Sequence, residues 1–178
     1  MDPGRVALRK RFRRNAGVGR AGFSLMEILI VLSILTFLLT MAGTSYLRWT
    51  SKTRVEDDTK RIYMDLMGAR ARALQQSRAA FVTMDGPGRL YRTYLDTSPA
   101  PDGNGILEIA EDRRITEGST SYPFTPFGTT IRFRRDGIAQ DTGTIRMDSP
   151  VDSDYDCITI KTTRIKMGRF VAGSCAER

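Results

Sequence analysis

The stretch RAGFSLMEILIVLSILTFLLTMAG, residues 20–43, decides how the rest of the chain is read. From 28 to 42 it is almost wholly apolar, yet Glu27 stands at the head of the run, four residues after Phe23. A carboxylate beside hydrocarbon is costly unless something pairs with it. The twenty residues 23–42 match the roughly 20 helical residues that a bilayer core of about 30 Å requires. They exceed the ~7–15-residue core of a cleaved secretory signal. The basic tract before them predicts that the N-terminus stays on the cytoplasmic side and the rest lies on the far side of a membrane. An ordinary secretory signal is the plainer alternative, with Thr40 and Ala42 as the small residues before a cut at Gly43.

The chain has 178 residues, 40% hydrophobic and 27% charged, which leaves room for one modest domain and an anchor. Its net charge of +8 suggests a polyanion partner, but the distribution argues otherwise. Residues 1–22 hold seven bases (Arg5, Arg9, Lys10, Arg11, Arg13, Arg14, Arg20) against Asp2. Residues 23–178 then carry 21 bases and 19 acids, a net of only +2.

The segment GFSLMEILIVL resembles the class III leader of type IV pilins and type II secretion pseudopilins. That pattern is a basic leader ending in Gly, a hydrophobic or aromatic first residue, and Glu at the fifth position of an apolar helix. The resemblance implies that a membrane prepilin peptidase cuts between Gly22 and Phe23 and methylates the Phe23 amine. It also implies that Glu27 meets the Phe23 amine of a neighbouring subunit, a pairing that sets register more than it adds net stability. The alternative for Glu27 is an idle position in the headgroup layer.

Beyond Gly43, Val55, Thr59, Ile62, Leu66, Ala69 and Ala73 recur at steps of four and three and define one helical face. No proline interrupts residues 23–85, so a helix is expected to about Arg78, roughly 84 Å from Phe23 at 1.5 Å per residue. After it the period changes. Residues 80–84, 90–95, 106–110, 130–133, 144–147, 157–161 and 164–171 read as strands, the last two as a terminal hairpin. DTSPAPDGNG (96–105) reads as a loop, and 122–128 as irregular. The expected fold class is α+β: a long N-terminal α-helix, half transmembrane and half amphipathic, packed on a C-terminal antiparallel β-sheet domain in the pilin-like manner. The expected boundaries are a leader at 1–22, a transmembrane and assembly helix at 23–43, an amphipathic helix at 44–79 and a β domain at 80–178. TIRFRRDGIAQDTGTIRM (130–147) and the strands that follow to about 171 loosely resemble GspH/FimT-type minor pseudopilins and minor pilins.

Composition removes several chemistries. The chain has no histidine, which excludes Ser-His-Asp and Cys-His mechanisms and histidine metal sites. Two cysteines do not make a four-thiolate zinc site. DSDYD (152–156) opens like an EF-hand, but Cys157 and Thr163 stand where Gly and Glu are required. It reads as a solvated acidic turn, with a calcium loop of another kind as the alternative. The Gly-containing turns lack the Lys-Ser/Thr ending of a phosphate loop. No enzyme, cofactor or metal is expected.

Cys157 and Cys175 are the two thiols. On an exported domain they are expected to join, a closure worth about 3 kcal/mol in the chain-entropy model; two reduced, buried thiols are the alternative. Residues 157–178 hold Lys161, Arg164, Lys166, Arg169 and Arg178 against Glu177. Some FimT-type minor pilins bind DNA through a C-terminal Gly-Arg-x-Arg element. Gly168 and Arg169 match it, but Val171 replaces the second Arg. The DNA-contact candidates are therefore Lys161, Arg164, Lys166 and Arg169, with a solvated basic strand face as the alternative.

The resemblance implies a minor subunit that initiates or caps a type IV pilus or type II secretion pseudopilus. Its implied partners are other pilin or pseudopilin subunits, the prepilin peptidase and the inner membrane. Its implied location is the bacterial inner membrane as a single-pass protein with a periplasmic domain. The alternatives are a DNA-binding minor pilin used in uptake and an unrelated tethered or secreted β domain.

Overall fold

The computed structural model describes residues 22–101 and 103–178, apart from the side chains of 41–45. The expected leader, Gly22 excepted, lies outside the described residues.

A helical run, α1, covers Leu25–Gln76. It starts where the Ser24 carbonyl accepts hydrogen bonds from the amides of Glu27 (3.0 Å) and Ile28 (3.2 Å). It ends at Ser77, whose φ of 51° is left-handed, while the Arg78 amide closes on the Ala73 carbonyl at 3.2 Å.

The expected fold class is corrected where it concerns the long membrane-spanning helix. The chain divides between Ala42 and Gly43 into two compact units, and the stretches 25–42 and 43–76 of the helical run belong to different ones. Among the described residues no helix is long and apolar enough to cross a membrane. Among the described residues the structure therefore does not support the transmembrane helix expected at 23–43 or the single-pass topology built on it. The expected antiparallel β domain is present and holds two sheets.

The second unit is built around helix 43–76. Val55, Ile62, Leu66, Ala69 and Ala73 have no solvent exposure, and Thr59 turns its hydroxyl back to the Val55 carbonyl at 2.8 Å. The strands are β1 (Ala80–Asp85), β2 (Leu90–Leu95), β3 (Arg113–Ser119), β4 (Phe124–Thr125), β5 (Thr130–Phe133), β6 (Gly143–Met147), β7 (Cys157–Ile160), β8 (Ile165–Val171) and β9 (Ser174–Glu177). The first sheet runs β3-β2-β1-β5 and the second β4-β6-β7-β8-β9, with antiparallel neighbours throughout.

Alternation in the strands sends one set of side chains inward. Val82, Ile131 and Phe133 of the first sheet and Ile145, Ile158 and Ile160 of the second join the helical face in one core. The first sheet is also covered on its other face. Phe81 and Tyr94 are buried there with Ala79, and Leu107 packs against them from the 96–112 loop.

Residues 106–110, expected as a strand, lie in that loop. Their alternation imitates a strand, but local side chains take the backbone amides. Asn104 Oδ1 accepts from Ile106 at 2.8 Å, and Asp112 Oδ2 accepts from Glu108 at 2.9 Å. The short β4 falls within the stretch expected to be irregular, and β3 and β9 were not anticipated.

Candidate assembly segment and basic strand

Gly22, Phe23 and Ser24 precede the helix in non-helical conformation and are exposed. Phe23 is 78% exposed. Among the described residues, its chain neighbours apart, no atom lies within 4 Å of the position a Cβ on Gly22 would take, so they impose no steric need for glycine there. Glu27 sits in the first helical turn, where a negative charge complements the helix dipole. Its carboxylate is exposed and has no cation partner among the described residues.

The side chains that follow are large, apolar and exposed on all sides of the helix: Leu25, Met26, Ile28, Leu29, Ile30 and others through Leu39. The polar ones are satisfied internally. Ser33 donates to the Ile30 carbonyl at 2.7 Å, Thr36 to Leu32 at 2.8 Å, and Thr40 to Phe37 at 2.7 Å. A helix apolar all round must be covered by something, and this one has its hydroxyls already folded away.

The basic strand is organised differently from its sequence. Cys157 and Cys175 form a disulfide with Cα atoms 6.0 Å apart, which ties β9 to the sheet beside β8. β9 carries Glu177, and Glu177 accepts from both Lys161 (2.5 Å) and Lys166 (3.2 Å). Those contacts hold the Glu177 carboxyl below its usual range, Lys161 first and Lys166 next. Arg169 lies 3.1 Å from Asp152. Arg164 is exposed and makes no ion pair among the described residues. Of the four expected DNA contacts, three are thus paired with acids, Lys161 and Lys166 on the same Glu177 carboxylate and Arg169 on Asp152.

The acidic turn supplies much of that neutralisation. Asp152 meets Arg169, and Asp154 meets Lys52 at 2.7 Å and Arg178 at 3.6 Å. The Lys52 hydrogen bond holds the Asp154 carboxyl below its usual range, and the same contact raises the Lys52 ammonium. Asp156 accepts from the Phe170 amide at 2.6 Å, but burial pushes its carboxyl up. Each carboxylate of DSDYD is therefore used inside the domain. Sequence reasoning missed these pairings. Their only linear signal was two oppositely charged stretches close together, which spacing alone does not bring into contact.

The Gly-Arg element has a packing role. A Cβ on Gly168 would stand 2.1 Å from the Ala176 carbonyl oxygen and 3.1 Å from the Cys175 sulfur. The glycine is needed because β9 and its disulfide lie against β8. On the same sheet the Arg146 guanidinium stacks over the Phe170 ring at 4.4 Å.

Compared with known proteins, the chain matches no family model, no curated protein and no solved structure.

Proposed function

We propose that this protein is a minor subunit of a type IV pilus or type II secretion pseudopilus, processed after Gly22 and assembled through residues 23–40. The observation that carries this reading is the exposed Gly22-Phe23…Glu27 element joined to a helical segment whose large apolar side chains are exposed among the described residues. The described residues impose no steric need for glycine at 22, so its presence fits recognition by a peptidase. The unpartnered Glu27 carboxylate would accept the amine that cleavage creates on a neighbour's Phe23. Packing against other subunits would bury the apolar segment. The Cys157–Cys175 disulfide fits an exported, periplasmic domain.

Mass spectrometry of the mature protein tests the proposal. The expected N-terminus is an N-methylated Phe23. A terminus at Gly43 would replace the filament reading with a secretory signal. Use as a DNA receptor is less well supported, because Glu177 and Asp152 occupy Lys161, Lys166 and Arg169.

A further inference from the structure

Asn104 and Gly105 give their backbone amides to the carboxylate of Asp96, which is fully buried. Asp96 Oδ2 accepts from the Gly105 amide at 2.6 Å, and Oδ1 from the Asn104 amide at 3.2 Å. The Asn104 side chain is held at both ends. Its Oδ1 accepts from the Ile106 amide at 2.8 Å, and its Nδ2 donates to Glu108 Oε1 at 3.0 Å. Asn104 itself is exposed, so water reaches its amide.

Those contacts meet the needs of one reaction, attack by a backbone nitrogen on the side-chain carbonyl of the asparagine before it. The attacking N–H needs a base within about 2.6–3.2 Å, and Asp96 stands there. Burial pushes the Asp96 carboxyl up, which strengthens its carboxylate as a base. The carbonyl oxygen needs a donor where negative charge develops, and the Ile106 amide supplies one. Glu108 fixes the opposite end of the amide, so that Oδ1 and not Nδ2 faces that donor. The nitrogen must also be open to approach. Gly105 has no side chain, and its φ of 80° is left-handed. Among the described residues, its chain neighbours apart, nothing stands within 4 Å of where a Cβ would point.

We propose that Asn104 and Gly105 form a self-modification site, at which the Gly105 nitrogen closes on Asn104 Cγ with Asp96 as the base. The N–Cγ bond forms, the Gly105 proton passes to Asp96, and the charge that builds on Oδ1 is met by the Ile106 N–H. The Cγ–Nδ2 bond then breaks. The proton held by Asp96 returns through water to the departing nitrogen, which leaves as ammonia. The five-membered imide left behind takes up one water. It opens to aspartate or, through its other carbonyl, to isoaspartate. Water is the co-reactant throughout. Loss of ammonia makes the change one-way, and the new carboxylate does not donate to Glu108.

Cleavage after Arg92 and Arg113 yields a peptide, 93–113, in which Asn104 is the one asparagine. The full chain, folded in detergent, and the same chain in urea are aged side by side at neutral pH, and that peptide is weighed and fragmented. The folded chain is expected to gain the mass of amide-to-acid conversion at Asn104 at least about tenfold faster than the unfolded chain, since a positioned base contributes more than that. Asp96→Asn should bring the folded rate down to the unfolded one, with the circular dichroism spectrum unchanged. Asn104→Gln should abolish the gain. If Asp96→Asn unfolds, the comparison of folded and unfolded native sequence decides alone. An equal or slower rate in the folded chain overturns the proposal and makes the same hydrogen bonds a lock on the loop. So does a folded Asp96→Asn chain that converts as fast as the native one. None of these readouts depends on processing at Gly22.

Discussion

Gly168 and Ala176 approach so closely across β8 and β9 that a Cβ on Gly168 would lie 2.1 Å from the Ala176 carbonyl oxygen. Backbone on one side and the Cys175 sulfur on the other leave no flexible atom to give way. Gly168→Ala is therefore expected to lower stability by about 1–3 kcal/mol, the usual cost of overpacking. Chemical unfolding of the two chains checks it. An unchanged midpoint would show that β9 does not hold this position in solution.

Removing the disulfide with Cys157→Ala and Cys175→Ala should cost about 2–4 kcal/mol. Among the described strands β9 is an edge strand hydrogen-bonded only to β8, and the disulfide is its one covalent tie to β7, so the loss should be felt there first. Hydrogen exchange should show the amides of 174–177 losing protection before those of β7. Uniform loss across the sheet would mean that the disulfide supports the whole domain and not the edge.

The carboxylates make opposing contributions to acid stability. Glu177 and Asp154 have folded pKa values below the ordinary range, owing to Lys161 with Lys166 and to Lys52. A lowered value means stability that is present above the unfolded pKa and lost as pH falls through the folded one. Asp96 and Asp156 are raised by burial, so their ionisation costs stability as pH rises from the unfolded value to the folded one. Glu177→Gln should flatten the acid limb of stability below about pH 4.5, and Asp156→Asn should steepen it. Urea unfolding between about pH 3 and 7 distinguishes the chains. Superimposable profiles would discount both carboxylates.

If the proposed processing holds, Glu27→Val should leave cleavage after Gly22 largely intact, because the glycine and the apolar run that a prepilin peptidase would read are unchanged. Assembly should suffer, since an amine buried without its partner costs about 3–5 kcal/mol. The amount of processed subunit in sheared filaments should fall at least about tenfold. Normal incorporation would assign Glu27 only its favourable position in the first helical turn.

The linear pattern determined what depends on neighbouring residues. Val55 through Ala73 fall on one face because helical spacing is a local property, and all six positions are buried. LYRTYL became β2 with the expected boundaries, since its alternation and flanking turns are local as well. RRITEGS and SCAE have too little apolar alternation to announce strands. They are β3 and β9 because β2 and β8 offer them hydrogen-bonding edges. ILEIA shows the converse, a strand-like pattern kept in a loop because Asn104 and Asp112 accept its amides. The same holds for charge. The sequence counted Lys161, Lys166 and Arg169 as a basic tail. Tertiary structure alone placed Glu177 beside the two lysines and Asp152 beside the arginine, because pairing across strands depends on register and not on distance along the chain.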